Sequence, residues 1–200
     1  MRKFYNCNKR YISSISSVLN AEEKAFQKLI KACLANKRAA QKELYQQHYS
    51  FAMQVCMRYT QSTEEAQEVM NDGFMKVFKS LKSYDVSKSF LPWLKQILVR
   101  TAINHYHKYK NRVKPVALEE GILAQEEEKG LGDMSYQEIL GLVRQLPPAY
   151  QTVFNLYAIE GYKHSEIAAM LDISEGTSKS NYARAKDKLK DYLGTYFEMP

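Results

Sequence analysis

The sequence predicts an all-α protein of two small helical domains joined by a flexible acidic linker. Three observations carry this. Apolar residues recur at three- and four-residue steps from about Ala21 to Lys110, with no strand-like alternation of useful length against them. The pattern then lapses over residues 111–137, which hold Pro115, three glycines and a Glu126-Glu127-Glu128 run. From Tyr136 it resumes, and it ends in a helix, a short stop and a second, basic helix. The expected division is a basic N-terminal tail (1–20), a first domain (21–110), the linker (111–137) and a second domain (138–195).

In the first domain, Phe26, Leu29, Ile30 and Cys33 form one apolar stripe, and Leu44, Tyr45, His48, Tyr49, Ala52 and Val55 a second. Ser62 and Glu65 have capping-box spacing ahead of a third stripe: Ala66, Val69, Met70, Phe74, Val77, Phe78 and Leu81. A break at "KSYDVSKS" precedes a fourth helix, "FLPWLKQILVRTAINHYHKYK", in which Pro92 falls in the first turn, where a missing N–H does no harm. A flexible linker of this length would span an r.m.s. distance of roughly 25–30 Å.

Composition excludes several classes. The chain has 200 residues, 45% of them hydrophobic and 26% charged, which suits an ordinary globular protein. No apolar run approaches a membrane span, and the basic start "MRKFYNCNKRYISSISSVLN" lacks a signal-like apolar core, so a cytoplasmic location is expected. Three cysteines without paired spacing predict neither a disulfide framework nor a zinc site, and Cys56 reads as a buried free thiol. His105 and His107 lie on different sides of a helix. There is no phosphate-cradling glycine loop and no nucleophile elbow, so neither cofactor, metal nor enzymatic activity is expected.

The net charge of +7 is uneven. The tail carries +4 and residues 21–110 carry +7, against −3 in the linker and −1 in residues 138–200. A basic N-terminal half suits a polyanionic partner, although solvated lysines alone would look the same.

The stretch "HSEIAAMLDISEGTSKSNYARAKDKL" has the marks of a helix-turn-helix. Ile167, Ala168 and Leu171 have core spacing, Ile173 plugs the turn, and Ser174 can cap the second helix. There Tyr182, Ala185, Leu189, Tyr192 and Tyr196 form an inward seam. The opposite face offers Thr177, Lys179, Ser180 and Arg184 to a major groove, with Glu175 and Gly176 in the first turn and Lys163 ahead of the first helix. A plain helical hairpin is the bland alternative. On the fourth helix of the first domain, Arg100, Asn104, His105, Tyr106, His107, Lys108, Tyr109 and Lys110 interleave cations with rings, which suits phosphates and unstacked bases.

These residues resemble a known family. "LVRQLPPAYQTVFNLYAIEGYKHSEIAAMLDISEGTSKSNYARAKDKL" is similar to region 4 of the sigma-70 family, in its extracytoplasmic-function class. "STEEAQEVMNDGFMKVFKSLKSYDVSKSFLPWLKQILVRTAINHYHKYKNR" resembles region 2. The resemblance implies a transcription initiation factor that lends promoter recognition and strand opening to core RNA polymerase. The second helical domain would read the −35 element and rest on the β flap. By the same resemblance Glu64, Glu68, Asn71, Asp72 and Met75, which read on their own as a solvated strip, would dock on the β′ clamp helices. Lys88, Ser89 and Trp93 would receive a base flipped from the −10 element, with Arg100, Asn104, His107 and Lys108 along the helix beyond; Trp93 also reads simply as a core anchor. The linker glutamates would either mimic phosphates in the polymerase channel or merely solubilise the tether. An anti-sigma protein is a possible further partner.

Three departures from the family pattern stand out. Asn71-Asp72 replaces a common Gln-Glu pair, and Asp172 replaces a turn glycine. Ser178 stands where a core valine is common, from which looser packing and a stabilising Ser178→Val substitution are expected. The rival reading is a stand-alone helix-turn-helix regulator, which leaves the aromatic-basic cluster unexplained.

Overall fold

The computed structural model describes residue 21 and residues 23–112 and 136–198. The basic tail, the linker glutamates and nearly all of the expected linker lie outside the described residues. All regular structure among the described residues is helical.

Helix α1 covers residues 23–34 and stops at Asn36, whose left-handed backbone (φ 56°) reverses the chain. Helix α2 (Arg38–Met57) buries Ala40, Leu44, Ala52, Met53, Val55 and Cys56. Helix α3 (Thr63–Ser80) begins where its sequence signal says. Ser62 Oγ accepts the Glu65 N–H at 3.2 Å, and the Glu65 carboxylate accepts the Gln61 N–H at 3.0 Å. A single 3₁₀ turn (Leu81–Ser83) and a loop lead to α4 (Phe90–Arg112), which runs two residues into the expected linker.

Helices α3 and α4 pack closely because Gly73 faces Leu98. A Cβ at position 73 would lie 2.6 Å from Leu98 Cδ2, so only glycine fits without movement. Leu44, Leu94 and Leu98 are wholly buried in this core. Each such leucine contributes roughly 1.5–3 kcal/mol.

The second half starts at α5 (Tyr136–Arg144). Helix α6 (Pro148–Phe154) widens into a π turn (Asn155–Ile159), closed by a bond from the Glu160 N–H to the Asn155 carbonyl at 2.9 Å. Gly161, at φ 81°, then turns the chain into α7 (His164–Leu171). Asp172 ends α7 in the left-handed region at φ 52°, and α8 (Glu175–Glu198) follows.

The two halves touch. Val153, Leu156, Ile167 and Leu171 belong to the same buried cluster as the core of the first half. Gln151 and Asn155 both donate side-chain N–H bonds to the Arg58 carbonyl at the end of α2, and Gln61 donates to the Gln151 side chain at 2.6 Å. Gln151 is 1% and Asn155 0% exposed. In that setting both amide N–H groups find their acceptor in the other half of the molecule, whereas the buried Asn155 Oδ1 has no partner.

Candidate nucleic-acid and polymerase interfaces

The helix-turn-helix forms from α7, the Asp172–Ser174 turn and α8. Ser174 Oγ accepts the Thr177 N–H at 2.9 Å and lies 2.8 Å from the Thr177 hydroxyl, which fixes the first turn of α8. Glu175, Gly176, Thr177, Lys179, Ser180 and Arg184 are all exposed along the first three turns of α8, as is Lys163 ahead of α7. Lys179 is not a bare cation. Its Nζ sits 2.7 Å from Glu175 Oε1, and the hydrogen bond and charge of Lys179 hold the Glu175 carboxyl below its ordinary range.

Ser178 corrects one expectation. It is fully buried, and its hydroxyl lies 2.9 Å from His164 Nδ1, while the His164 ring stacks on Tyr157 at 4.3 Å. The serine is therefore a specific polar contact between α7 and α8 rather than a gap in the core. The inward seam holds at Ala185, which is buried, and at Tyr182, Leu189 and Tyr192, which are half-buried. The side chain of Tyr196 lies outside the described residues. Ala168 is only half-buried.

A cavity of about 520 Å³ opens at the start of α4. It brings together Lys88, Ser89 and Trp93 with Ser83, Tyr84, Asp85, Pro92, Lys95, Gln96 and Val99. The loop is held by its own bonds. Asp85 Oδ1 accepts from the Ser87 N–H (3.0 Å) and hydroxyl (2.7 Å), and these bonds keep the Asp85 carboxyl low. The Tyr84 hydroxyl donates to the Lys88 carbonyl, and burial raises its pKa. Trp93 is a packing anchor that also borders the cavity. It packs against Tyr84 (5.1 Å) and Phe90 (5.5 Å) and also lines the cavity.

The other four residues expected at the −10 element lie outside this cavity. Arg100, Asn104 and Lys108 are exposed at four-residue steps along α4, so they share one helix face. His107 departs from that face: its Nε2 lies 3.1 Å from the Met170 carbonyl of α7, so it is held against the second half. Sequence reading missed Lys95 and Gln96 in the cavity. Gln96 is legible in retrospect, because it follows Pro92 by four residues. Glu160 and Tyr162, which complete the cavity from the second half, carried no local signal.

On α3, Glu64, Glu68, Asn71, Asp72 and Met75 form a continuous exposed strip, with Met75 58% exposed. Glu64 lies at the N-terminal end of the helix, where hydrogen bonds to its own backbone and to Ser62 lower its pKa. The strip extends onto α2, because the Tyr45 hydroxyl donates to Asn71 Oδ1 at 3.0 Å and Tyr49 stands exposed beside it.

Fold and surfaces thus define an all-helical, two-part protein: a helix-turn-helix, an aromatic-basic cavity and an acidic strip. Comparison with known proteins agrees. The family described as "Sigma-70 region 2" matches residues 44–112, and "Sigma-70, region 4" matches residues 136–189, together more than half of the chain. The chain is 26% identical over 153 residues to the ECF RNA polymerase sigma factor SigM of Bacillus subtilis, covering 74% of this chain and 91% of that protein. It is 25% identical over 160 residues to the ECF RNA polymerase sigma factor SigE of Mycolicibacterium smegmatis, covering 77% of this chain and 62% of that protein. Among solved structures, the sigma factor RpoE of Bartonella quintana, in complex with the anti-sigma factor NepR, overlaps with a TM-score of 0.46 at 17% identity, over 76% of this chain and 96% of that one. The chain belongs to the sigma-70 family, in its extracytoplasmic-function class. It is a sigma factor that directs RNA polymerase to promoters, and the presence of both regions sets aside the stand-alone regulator.

Among the described residues no group of histidines, cysteines and carboxylates could hold a metal ion, and no helix is long and apolar enough to cross a membrane.

Proposed function

We propose that this sigma factor divides promoter recognition between residues 21–110 and 138–195, the parts on either side of the linker (111–137). In the C-terminal part, the exposed first three turns of α8 enter the major groove of the −35 element. Thr177, Lys179, Ser180 and Arg184 meet base edges and phosphates, Glu175 and Gly176 border them, and Lys163 meets the backbone. In the N-terminal part, a base flipped from the −10 element enters the cavity between Lys88, Ser89 and Trp93. Extruding it costs a few kcal/mol, which ring stacking and charge offset. Arg100, Asn104 and Lys108 continue the path along α4.

The observation that carries this is the cavity itself: a loop held by the Asp85–Ser87 bonds, a half-buried tryptophan and an exposed lysine, Lys88, 3.8 Å from Asp85 Oδ2, meet at the start of the basic helix. The acidic strip of α3, with Met75 and Tyr49, is the docking face for core polymerase. The protein acts in the cytoplasm by binding rather than by covalent chemistry, and needs no cofactor. An anti-sigma factor, as accompanies RpoE of Bartonella quintana, is a fitting regulatory partner.

The test is a pull-down with purified core RNA polymerase followed by run-off transcription from genomic fragments. Discrete new transcripts are expected. Asp72→Lys should abolish polymerase capture, whereas Lys88→Ala should spare capture and impair strand opening, read by permanganate reactivity. Equal loss of both activities in both variants would refute the division of roles.

A further inference from the structure

Ser178 stands on the back of α8, away from the side chains that α8 exposes. At about 100° per residue, Gly176, Ser180 and Arg184 fall on the far side of the helix axis, and Thr177 and Lys179 on its flanks. Ser178 and Ala185, two turns further along the same back face, are both wholly buried. The partner of Ser178 is His164, the first residue of α7, whose Nδ1 lies 2.9 Å from the serine Oγ. The imidazole is held on two sides. It stacks on Tyr157 at 4.3 Å with 12° between the planes, and it meets Tyr182 at 5.9 Å.

We propose that the His164–Ser178 contact sets the rotation of α8 about its own axis, and thereby decides which −35 bases its exposed side chains discriminate. His164 and Ser178 are then positioning residues of promoter choice, although neither touches DNA. The inference rests on reading α8 as the helix that enters the −35 groove. Apolar packing is non-directional, whereas a hydrogen bond tolerates only a narrow range of distance and angle. A turn of about 20° carries a side-chain tip that lies about 6 Å from the helix axis through roughly 2 Å. That displacement exceeds the whole span of useful hydrogen-bond lengths, so a base contact is lost or passes to another base edge.

The neighbouring contacts do not supply the same constraint. Ser174, which accepts the Thr177 N–H, fixes where α8 starts, and Ser178 one residue later fixes how the helix is turned. Ala185 has no polar side-chain atom with which to set an angle. Two further bonds tie α8 to the rest of this half, from Arg184 to the Tyr150 hydroxyl and from the Tyr192 hydroxyl to the Gln145 carbonyl. Both are 3.4 Å long and exposed, so they hold the helix loosely. A short, buried bond to a ring clamped between two tyrosines is the stiffest reference that the reading face has.

The test uses holoenzyme assembled from core polymerase and the full chain, on a promoter found by run-off transcription. Transcript yields are compared across templates with single-base changes in the −35 and −10 elements. Ser178→Ala removes the hydroxyl, and His164→Phe keeps a stacked ring without Nδ1. Each is expected to weaken discrimination among −35 templates roughly three- to tenfold while leaving the −10 profile as in the wild type. The double variant should lose no more than either single one, because both remove the same bond. Ser178→Thr, which keeps the hydroxyl, should restore the wild-type −35 profile. Unchanged −35 profiles in both single variants would overturn the positioning role. So would a proportional fall on every template, which is what mere loss of stability produces. Arg184→Ala separates the two levels of failure: if it too leaves the −35 profile unchanged, α8 does not read that element, and the positioning role falls with that reading. Should Ser178→Ala not fold by circular dichroism, His164→Phe decides alone.

Discussion

Cys56 shows how far burial alone can move a group. Its side chain is fully buried in α2, and loss of solvation pushes the thiol from 9.0 up to about 12, against a small opposing pull from Arg58. Well below pH 9 the thiol is protonated in the folded and unfolded chain alike, so it leaves stability unchanged. As pH rises from 9.0 towards about 12, the unfolded thiol ionises while the folded one keeps its proton, and stability falls. The limiting slope for one such group is about 1.4 kcal/mol per pH unit. Cys33 and Tyr59, both raised first by burial, act in the same direction. Urea midpoints between pH 8 and 11, in reductant, should therefore decline less steeply for Cys56→Ala than for the wild type. Parallel declines would show that Cys56 titrates normally. Ser178 is a second residue at which environment decides. Valine there would add volume to a fully buried site and remove the contact to His164 Nδ1. Overpacking costs about 1–3 kcal/mol and a lost hydrogen bond about 1 kcal/mol, so Ser178→Val should lower the melting temperature instead of raising it. A higher melting temperature would mean that the serine site has spare room.

At the scale of the element, the pairing of α3 with α4 turns on one missing side chain. Alanine at position 73 gains about 1 kcal/mol of helix propensity but meets Leu98 at 2.6 Å, in a core where Leu98 is 0% exposed. The fully buried leucine must shift its Cδ2 methyl against its packed neighbours, so Gly73→Ala should lower stability by about 1 kcal/mol net, measured by urea unfolding. A gain would mean that Leu98 repacks freely. Helices were the most legible part of the sequence, because periodicity and capping are local. The stripes of α1 and α3, the Ser62 and Ser174 caps and the left-handed Asp172 reach the structure as read, and the α2 stripe does so except at its exposed Tyr49. Gly73 was not legible, since a glycine inside a helix says nothing about which neighbour approaches it. Nor was the π turn at Asn155–Ile159, which has no residue signature of its own. Within the candidate site, Lys88, Ser89 and Trp93 were named from the resemblance to region 2, and they line one cavity because they are neighbours in sequence. Tyr45 and Tyr49 were assigned to an apolar stripe because aromatic residues at helical spacing look alike whether they face a core or a partner.

Contacts between the halves belong to the whole molecule, and sequence reading has no access to them. Gln151 sits in "QLPPAYQTVF", a stretch recognisable as a lead into the helix-turn-helix, yet its amide is spent on the Arg58 carbonyl far along the chain. Asn155 donates to the same carbonyl, and apolar Val153 and Leu156 beside them join the core of the first half. Continuity of that core predicts coupled unfolding. The full chain should melt in one transition by scanning calorimetry, with calorimetric and van't Hoff enthalpies in agreement. Asn155→Leu removes one of the two donors to the Arg58 carbonyl, which keeps its bond from Gln151, and places a larger apolar side chain at a wholly buried boundary position. Losing such a bond costs about 0.5–1.5 kcal/mol and overpacking about 1–3 kcal/mol, both at the boundary between halves. The variant should melt in two steps, with the upper one near the wild-type temperature because the α1–α4 core is untouched. Glu160→Gln should shift the trace the same way, since it weakens the same boundary at its ion pairs to Arg58 and Lys95. Two separate transitions in the wild type would show instead that the halves fold independently and merely lie against each other. A single lowered transition in both variants would show that the boundary is an integral part of one core.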